Sequence, residues 1–145
     1  QFIDDFDFFN IEPFTLVLVD WNQHLTTYEL VWDGKTKHFS LLKQEPKIWS
    51  SSTLYNKEMK EDREEWFSNW LTNNKKFGQE EILDFHKNPN LGTPETSVRM
   101  KRDFVETVSI TSVLKKDSIN INYIDFINLV LIMSNYTYIY TVMLY

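Results

Sequence analysis

The hydrophobic period of this chain switches once from strand-like to helix-like, at Lys47–Tyr55 (KIWSSSTLY), and that switch limits the folds open to it. Before it, apolar residues alternate or run continuously, as in strands. Phe14–Trp21 (FTLVLVDW) reads as a buried strand. Leu25–Trp32 follows, with Tyr28, Leu30 and Trp32 on one face and Thr27 and Glu29 on the other. Asp33-Gly34 sits between two strand-like runs, a hairpin signal because glycine accepts positive φ freely. Lys35–Leu42 returns as a third strand, Gln44-Glu45-Pro46 interrupts, and Ile48–Ser51 is expected as a short fourth. The simplest arrangement is an antiparallel meander.

After the switch the period is that of a helix. Asn56 is the expected N-cap. Met59, Trp66, Phe67, Trp70 and Leu71 share a face, while Lys57, Lys60, Glu61, Glu64 and Glu65 lie elsewhere. Asn73, Asn74 and Gly78 mark a break before a second helix over Gln79–Lys87, whose apolar side is Ile82, Leu83, Phe85 and His86. Asn88–Glu95 is dense in turn residues. Thr96–Arg102, Glu106–Leu114 and Ser118–Asp125 are expected as three further strands. The order ββββααβββ segregates strands from helices, which predicts an α+β fold of antiparallel sheets with two helices rather than a parallel α/β one. Residues 1–125 are expected to form that domain. Residues 126–145 carry no charge, and Tyr136, Tyr138 and Tyr140 alternate as in a strand. Repeated polar residues in this tail favour a strand over a membrane-spanning helix.

Composition removes several functions. A net charge of −6 argues against a nucleic-acid partner, which needs a dense basic face. The chain has no cysteine, so it offers no disulfide, thiolate zinc ligand or thiol nucleophile. That fits a cytoplasmic protein. His24, His38 and His86 lack metal-site spacing, and no cofactor is expected. Asp4, Asp5 and Asp7, interleaved with phenylalanines, lack the glycine and distal glutamate of a calcium loop; an acidic helix or linker is the expectation.

The candidate site residues start at the switch itself. Ser50, Ser51 and Ser52 fall where a strand end meets a helix N-terminus, and unpaired backbone N–H groups there can hold a carboxylate, phosphate or oxyanion. Alternation places Ser50 and Ser52 on one face and Ser51 on the other. Their structural alternative is hydrogen bonding to the backbone and capping of the helix. No Gly-x-Ser-x-Gly elbow or local histidine makes any of them a serine nucleophile. Trp49 flanks them and could wall a pocket. Arg99, Thr107 and Ser109 are the second set: an arginine that could grip a carboxylate, and two hydroxyls on one strand face. Their alternative role is ordinary strand surface with a weak ion pair.

Six stretches, in this order and spacing, resemble the C-terminal half of NRDE-family proteins, bacterial relatives of the transport-and-Golgi-organisation proteins. They are EPFTLVLVDW at Glu12–Trp21, ELVWDG at Glu29–Gly34, KIWSSSTLY at Lys47–Tyr55, DREEWFSNWL at Asp62–Leu71, ILDFH at Ile82–His86 and SVRMKRDFVETVSITSV at Ser97–Val113. The resemblance implies part of an αββα sandwich of the N-terminal-nucleophile hydrolase kind, in which the first residue supplies both nucleophile and base. It also implies that Ser50–Ser52 and the late strands line the cleft and help hold an oxyanion. Here the family's cysteine and Asn-Arg-Asp-Glu run are absent and the first residue is Gln1. The expectation is therefore a scaffold and pocket-wall half, inactive alone, partnered by an upstream half and acting on a small amide. The alternative is a non-catalytic binding or trafficking protein with an apolar ligand cleft.

Overall fold

The computed structural model describes residues 2–51, 53–127 and 137–144. The fold is α+β. In chain order its elements are α1 (Phe2–Asp5), β1 (Phe14–Asp20), β2 (Thr26–Trp32), β3 (Lys37–Leu41), α2 (Lys57–Asn73), α3 (Gln79–Lys87), β4 (Val105–Lys115), β5 (Ile119–Asp125) and β6 (Thr137–Leu144). Two compact units divide within α2, Gln1–Glu61 and Asp62–Tyr145.

The first unit is built on an antiparallel meander, β1-β2-β3. Its register aligns Leu16, Leu30 and Phe39 across the sheet, and Leu18, Tyr28 and Leu41 beside them. The β2–β3 turn forms at Asp33-Gly34. Gly34 has φ +91°, where a Cβ would be strained, and the Asp33 carboxylate accepts the backbone N–H groups of Lys35 (2.8 Å) and Thr36 (2.7 Å). Those bonds hold the exposed Asp33 carboxyl down at about 2. The acidic start of the chain forms the expected helix, α1, which carries Asp4 and Asp5, and the residues after it pack on the sheet. Phe8 is buried and stacks on Phe14 and Trp32 at centroid distances of 6.0 and 5.2 Å, while Trp32 Nε1 donates to the Ile11 carbonyl. Phe8 thus gives this small sheet apolar cover that it cannot supply itself.

The expected fourth strand at Ile48–Ser51 does not form. The outer side of β3 is the open edge next to it, and the segment does not add there. The segment instead attaches through side chains: Lys47 Nζ and Trp49 Nε1 both donate to Glu29 Oε1, at 2.9 and 2.6 Å. Pro46, which has no N–H to give a ladder, stands at its head.

Helix α2 starts at its predicted cap, Asn56, whose side chain accepts the Met59 N–H at 2.9 Å, and continues into the second unit. Its buried residue is Arg63, not one of the aromatics. Helix α3 has the predicted bounds and buries Leu83 and Phe85. Its start is fixed by Glu81 reaching back to the Gly78 N–H (3.0 Å). Leu83 and Ile110 of β4 form the core, with Ile82, Ile124 and Phe126 packed around them. Gln79 ties α3 to the same strand face by donating to the buried Ser112 hydroxyl at 2.7 Å.

The strand expected at Thr96–Arg102 is a series of turns with one isolated bridge, Lys101 to Glu106. Local bonds take its backbone groups: Ser97 N–H donates to Thr93 O, Lys101 N–H to Pro94 O, and Arg63 draws on the Ser97 and Thr96 carbonyls. Strand β4 is central. It pairs antiparallel with β5 through the expected turn at Lys115–Ser118, and parallel with β6, with an irregularity between Thr107 and Ser109. The chain leaves β5 beside the start of β4, because Asp125 faces Ser109. A strand that joins the open side of β4 at Val105 therefore runs parallel to it.

Candidate functional site

In the first unit, Ser51 lies on the irregular stretch between the meander and α2. Its hydroxyl is 3.5 Å from that of Thr53. Ser50 also lies there and makes an interaction of its own. Ser52 lies outside the described residues. Trp49 is half-buried and held by Glu29. Partial burial works against ionisation of Glu29, but the bonds from Lys47 and Trp49 and the Lys47 charge outweigh it and hold the carboxyl below its usual range. The tether is therefore a charge-assisted one at neutral pH.

In the second unit, the other candidates are engaged in the fold. Thr107 is buried, and its hydroxyl accepts the Met100 N–H at 3.0 Å while its own N–H donates to the Met100 carbonyl. Ser109 is fully buried, and its hydroxyl has no hydrogen-bond partner among the described residues. The Arg99 guanidinium lies over the Phe126 ring, 4.0 Å from its centroid.

A different set of residues forms a groove of about 490 Å³ within the second unit. Helix α2 contributes Trp66, Asn69, Trp70 and Asn73, one stripe at i, i+3, i+4 and i+7, with Asn74 just past its end. Asp84 and Phe85 of α3, then Asn88 and Leu91, form the other side. Aromatic contacts set the floor. Trp70 meets Phe85 at 5.3 Å, Phe67 at 5.9 Å and Phe77 at 5.6 Å between centroids. Trp66 is fixed by Gly92, which has φ +80° and no side chain to strike the indole. The carboxamide nitrogens of Asn73 and Asn74 donate to the carbonyls of Asn69 and Trp70, each at 2.8 Å. The sequence places Trp66 and Trp70 on one apolar face of α2 and Asn73-Asn74 at a helix break. The polar half of the stripe was visible in the spacing, but no apolar periodicity marks an asparagine as facing a groove.

Behind the groove, His86 is held down at about 4, first by burial and then by the Arg63 charge. No cluster of three or more metal-ligating side chains occurs among the described residues, and none of their helices is long and apolar enough to cross a membrane. No family model, curated protein or solved structure matches this chain.

Proposed function

We propose that this chain is the scaffold and pocket-wall half of an NRDE-type amide hydrolase of the cytoplasm, with the nucleophile supplied by residues outside it. The supporting observation is the junction from Lys47 to Asn56. A meander ends, Glu29 pins Lys47 and Trp49, and a hydroxyl-bearing stretch then leads into a capped 17-residue helix. Hydroxyl donors on such a stretch suit a developing oxyanion, and the tether at Lys47 and Trp49 anchors the approach to them. The thiol that would attack the amide, with the α-amine of the same residue that would take its proton, is not part of this sequence. The test is reconstitution. The purified chain should release no amine from acyl-amide substrates, and a polypeptide carrying a family N-terminal half that begins Met-Cys should restore turnover, reduced about tenfold by Ser51→Ala. Turnover by the chain alone, abolished by Ser51→Ala, would overturn the reading.

The groove favours a second reading, a non-catalytic binding or trafficking protein. Its tryptophans and its volume suit a small organic ligand. Ligand-dependent change in tryptophan fluorescence that disappears in Trp66→Ala would support it; no response to any of a chemically diverse set of ligands would count against it.

A further inference from the structure

We infer that the groove between α2 and α3 is a binding site for a neutral saccharide. The inference rests on the binding reading of that groove and is independent of the hydrolase reading.

Four of the nine lining side chains are apolar and five are polar, and the two tryptophans, Phe85 and Leu91 supply most of the surface, so the groove suits a ligand that has both an apolar face and polar groups. The polar members are four asparagines and Asp84, with no lysine or arginine among the lining residues. A phosphate or carboxylate ligand would meet only dipoles and a carboxylate, which is the wrong electrostatics for an anion. Asp84 is in turn neutralised by Lys87 at 2.6 Å, so a cation is not specially called for either. What remains is a neutral ligand with many hydroxyls and at least one apolar face. A pyranose has both: axial C–H bonds on one face and equatorial hydroxyls around its rim.

The geometry matches these two needs. Trp66 and Trp70, one turn apart on α2, both line the groove; Phe67 is stacked on Trp70, so Trp66 supplies the electron-rich face for the weakly positive C–H hydrogens of a sugar. The rigidity of that surface comes from its packing: Gly92 lets the loop close against Trp66, and Phe67, Phe77 and Phe85 surround Trp70. The asparagines provide both hydrogen-bond senses. Asn73 and Asn74 each use one N–H on a helix carbonyl, which orients the carboxamide and leaves its Oδ1 to accept from ligand hydroxyls. Asn69 is exposed, and its whole carboxamide is uncommitted among the described residues, so it can donate and accept at once. Fixed oxygens of this kind cost little ordering entropy on binding.

The experiment is titration of the full chain with glucose, galactose, mannose, N-acetylglucosamine, maltose and cellobiose, followed by tryptophan fluorescence and calorimetry. Decanoate and inorganic phosphate are run alongside. At least one saccharide should saturate in the millimolar range. Asn69→Leu, an exposed change that leaves the helix intact by circular dichroism, should weaken it about tenfold, and Trp66→Ala should abolish it. Saturation by decanoate or phosphate but by no saccharide would overturn the inference while leaving the groove a binding site. Saturation by nothing would remove both. A saccharide response unchanged in folded Asn69→Leu and Trp66→Ala would also overturn it, since the ligand would then sit elsewhere.

Discussion

Arg63 occupies the position on α2 where an aliphatic residue would be expected, and its guanidinium donates to the Ser97 carbonyl at 2.8 Å and the Thr96 carbonyl at 3.3 Å. A planar cation suits this place because the Thr93–Ser97 turn leaves carbonyls that no strand ladder satisfies. Arg63→Met keeps most of the volume but strips those oxygens of their donor, and urea unfolding should show a loss of about 2–3 kcal/mol. The same charge reaches His86, whose pKa lies at about 4 in the folded chain against 6.5 ordinarily. A depressed histidine pKa means that the unfolded chain takes up the proton first as pH falls. Stability is therefore full above pH 6.5, declines between 6.5 and about 4, and is level below that, the whole loss being about 3 kcal/mol. His86→Gln removes this titration. At pH 4.5 the variant should lose about 2–3 kcal/mol less than the parent does relative to pH 7, read from paired urea midpoints. Gly92 is a third such point. Its φ of +80° and its contacts with Trp66 and Thr96 Oγ1 (2.7 Å from a built Cβ) leave no room for a methyl group. Gly92→Ala should lower the melting temperature by an amount equivalent to about 2–3 kcal/mol.

Among the elements, those legible in the sequence are the ones whose own residues decide them. The period-2 runs of β1 and β2, the Asp33-Gly34 turn, the Asn56 cap and the Gln79–Lys87 helix all carry local signals, and all appear with nearly the expected bounds. Two expected strands fail for the opposite reason. Ile48–Ser51 and Thr96–Arg102 have the composition of strands, but where such a segment attaches depends on distant residues. Lys47 and Trp49 are held by the Glu29 carboxylate of β2, and the carbonyls at Thr96 and Ser97 go to Arg63, 33 and 34 residues away in sequence. The candidate site follows the same division. The serine junction was readable because it lies at a change of period. The groove was not, since Asn88 and Leu91 reach it only after the chain turns back on α2. The Glu29 tether is likewise a long-range feature, and it makes a sharp prediction. Glu29→Ala leaves the β1–β2 pairing intact but should speed amide hydrogen exchange across residues 47–51 by at least tenfold, with little change over 14–20.

At the scale of the whole molecule, the division into two units falls after Glu61, inside a helix with no glycine, proline or change of composition to mark it. Helix continuity conceals the boundary, because α2 satisfies its own backbone wherever its side chains happen to pack. The sheets present a different kind of problem, their edges. Strand β5 lies at the edge of the second sheet, with Ile119, Ile121 and Tyr123 alternating onto one face and exposed at 49%, 66% and 56%. An edge strand with an apolar stripe and open backbone groups is a template for pairing with another chain, and natural edges are usually blunted by an inward charge. Here the only charge on the strand is Asp125, at its far end. The net charge of −6 opposes association at long range, but salt screens it beyond about 10 Å at 0.1 M. Two conditions should therefore act together: raising protein concentration and raising salt. Light scattering at 0.5 M salt should show growth of the mean mass with concentration, and Ile121→Lys should suppress it without altering the far-ultraviolet circular dichroism. A variant that associates as strongly as the parent would move the adhesive surface away from β5 and onto the meander, where Phe39 and Leu41 of edge strand β3 are also exposed.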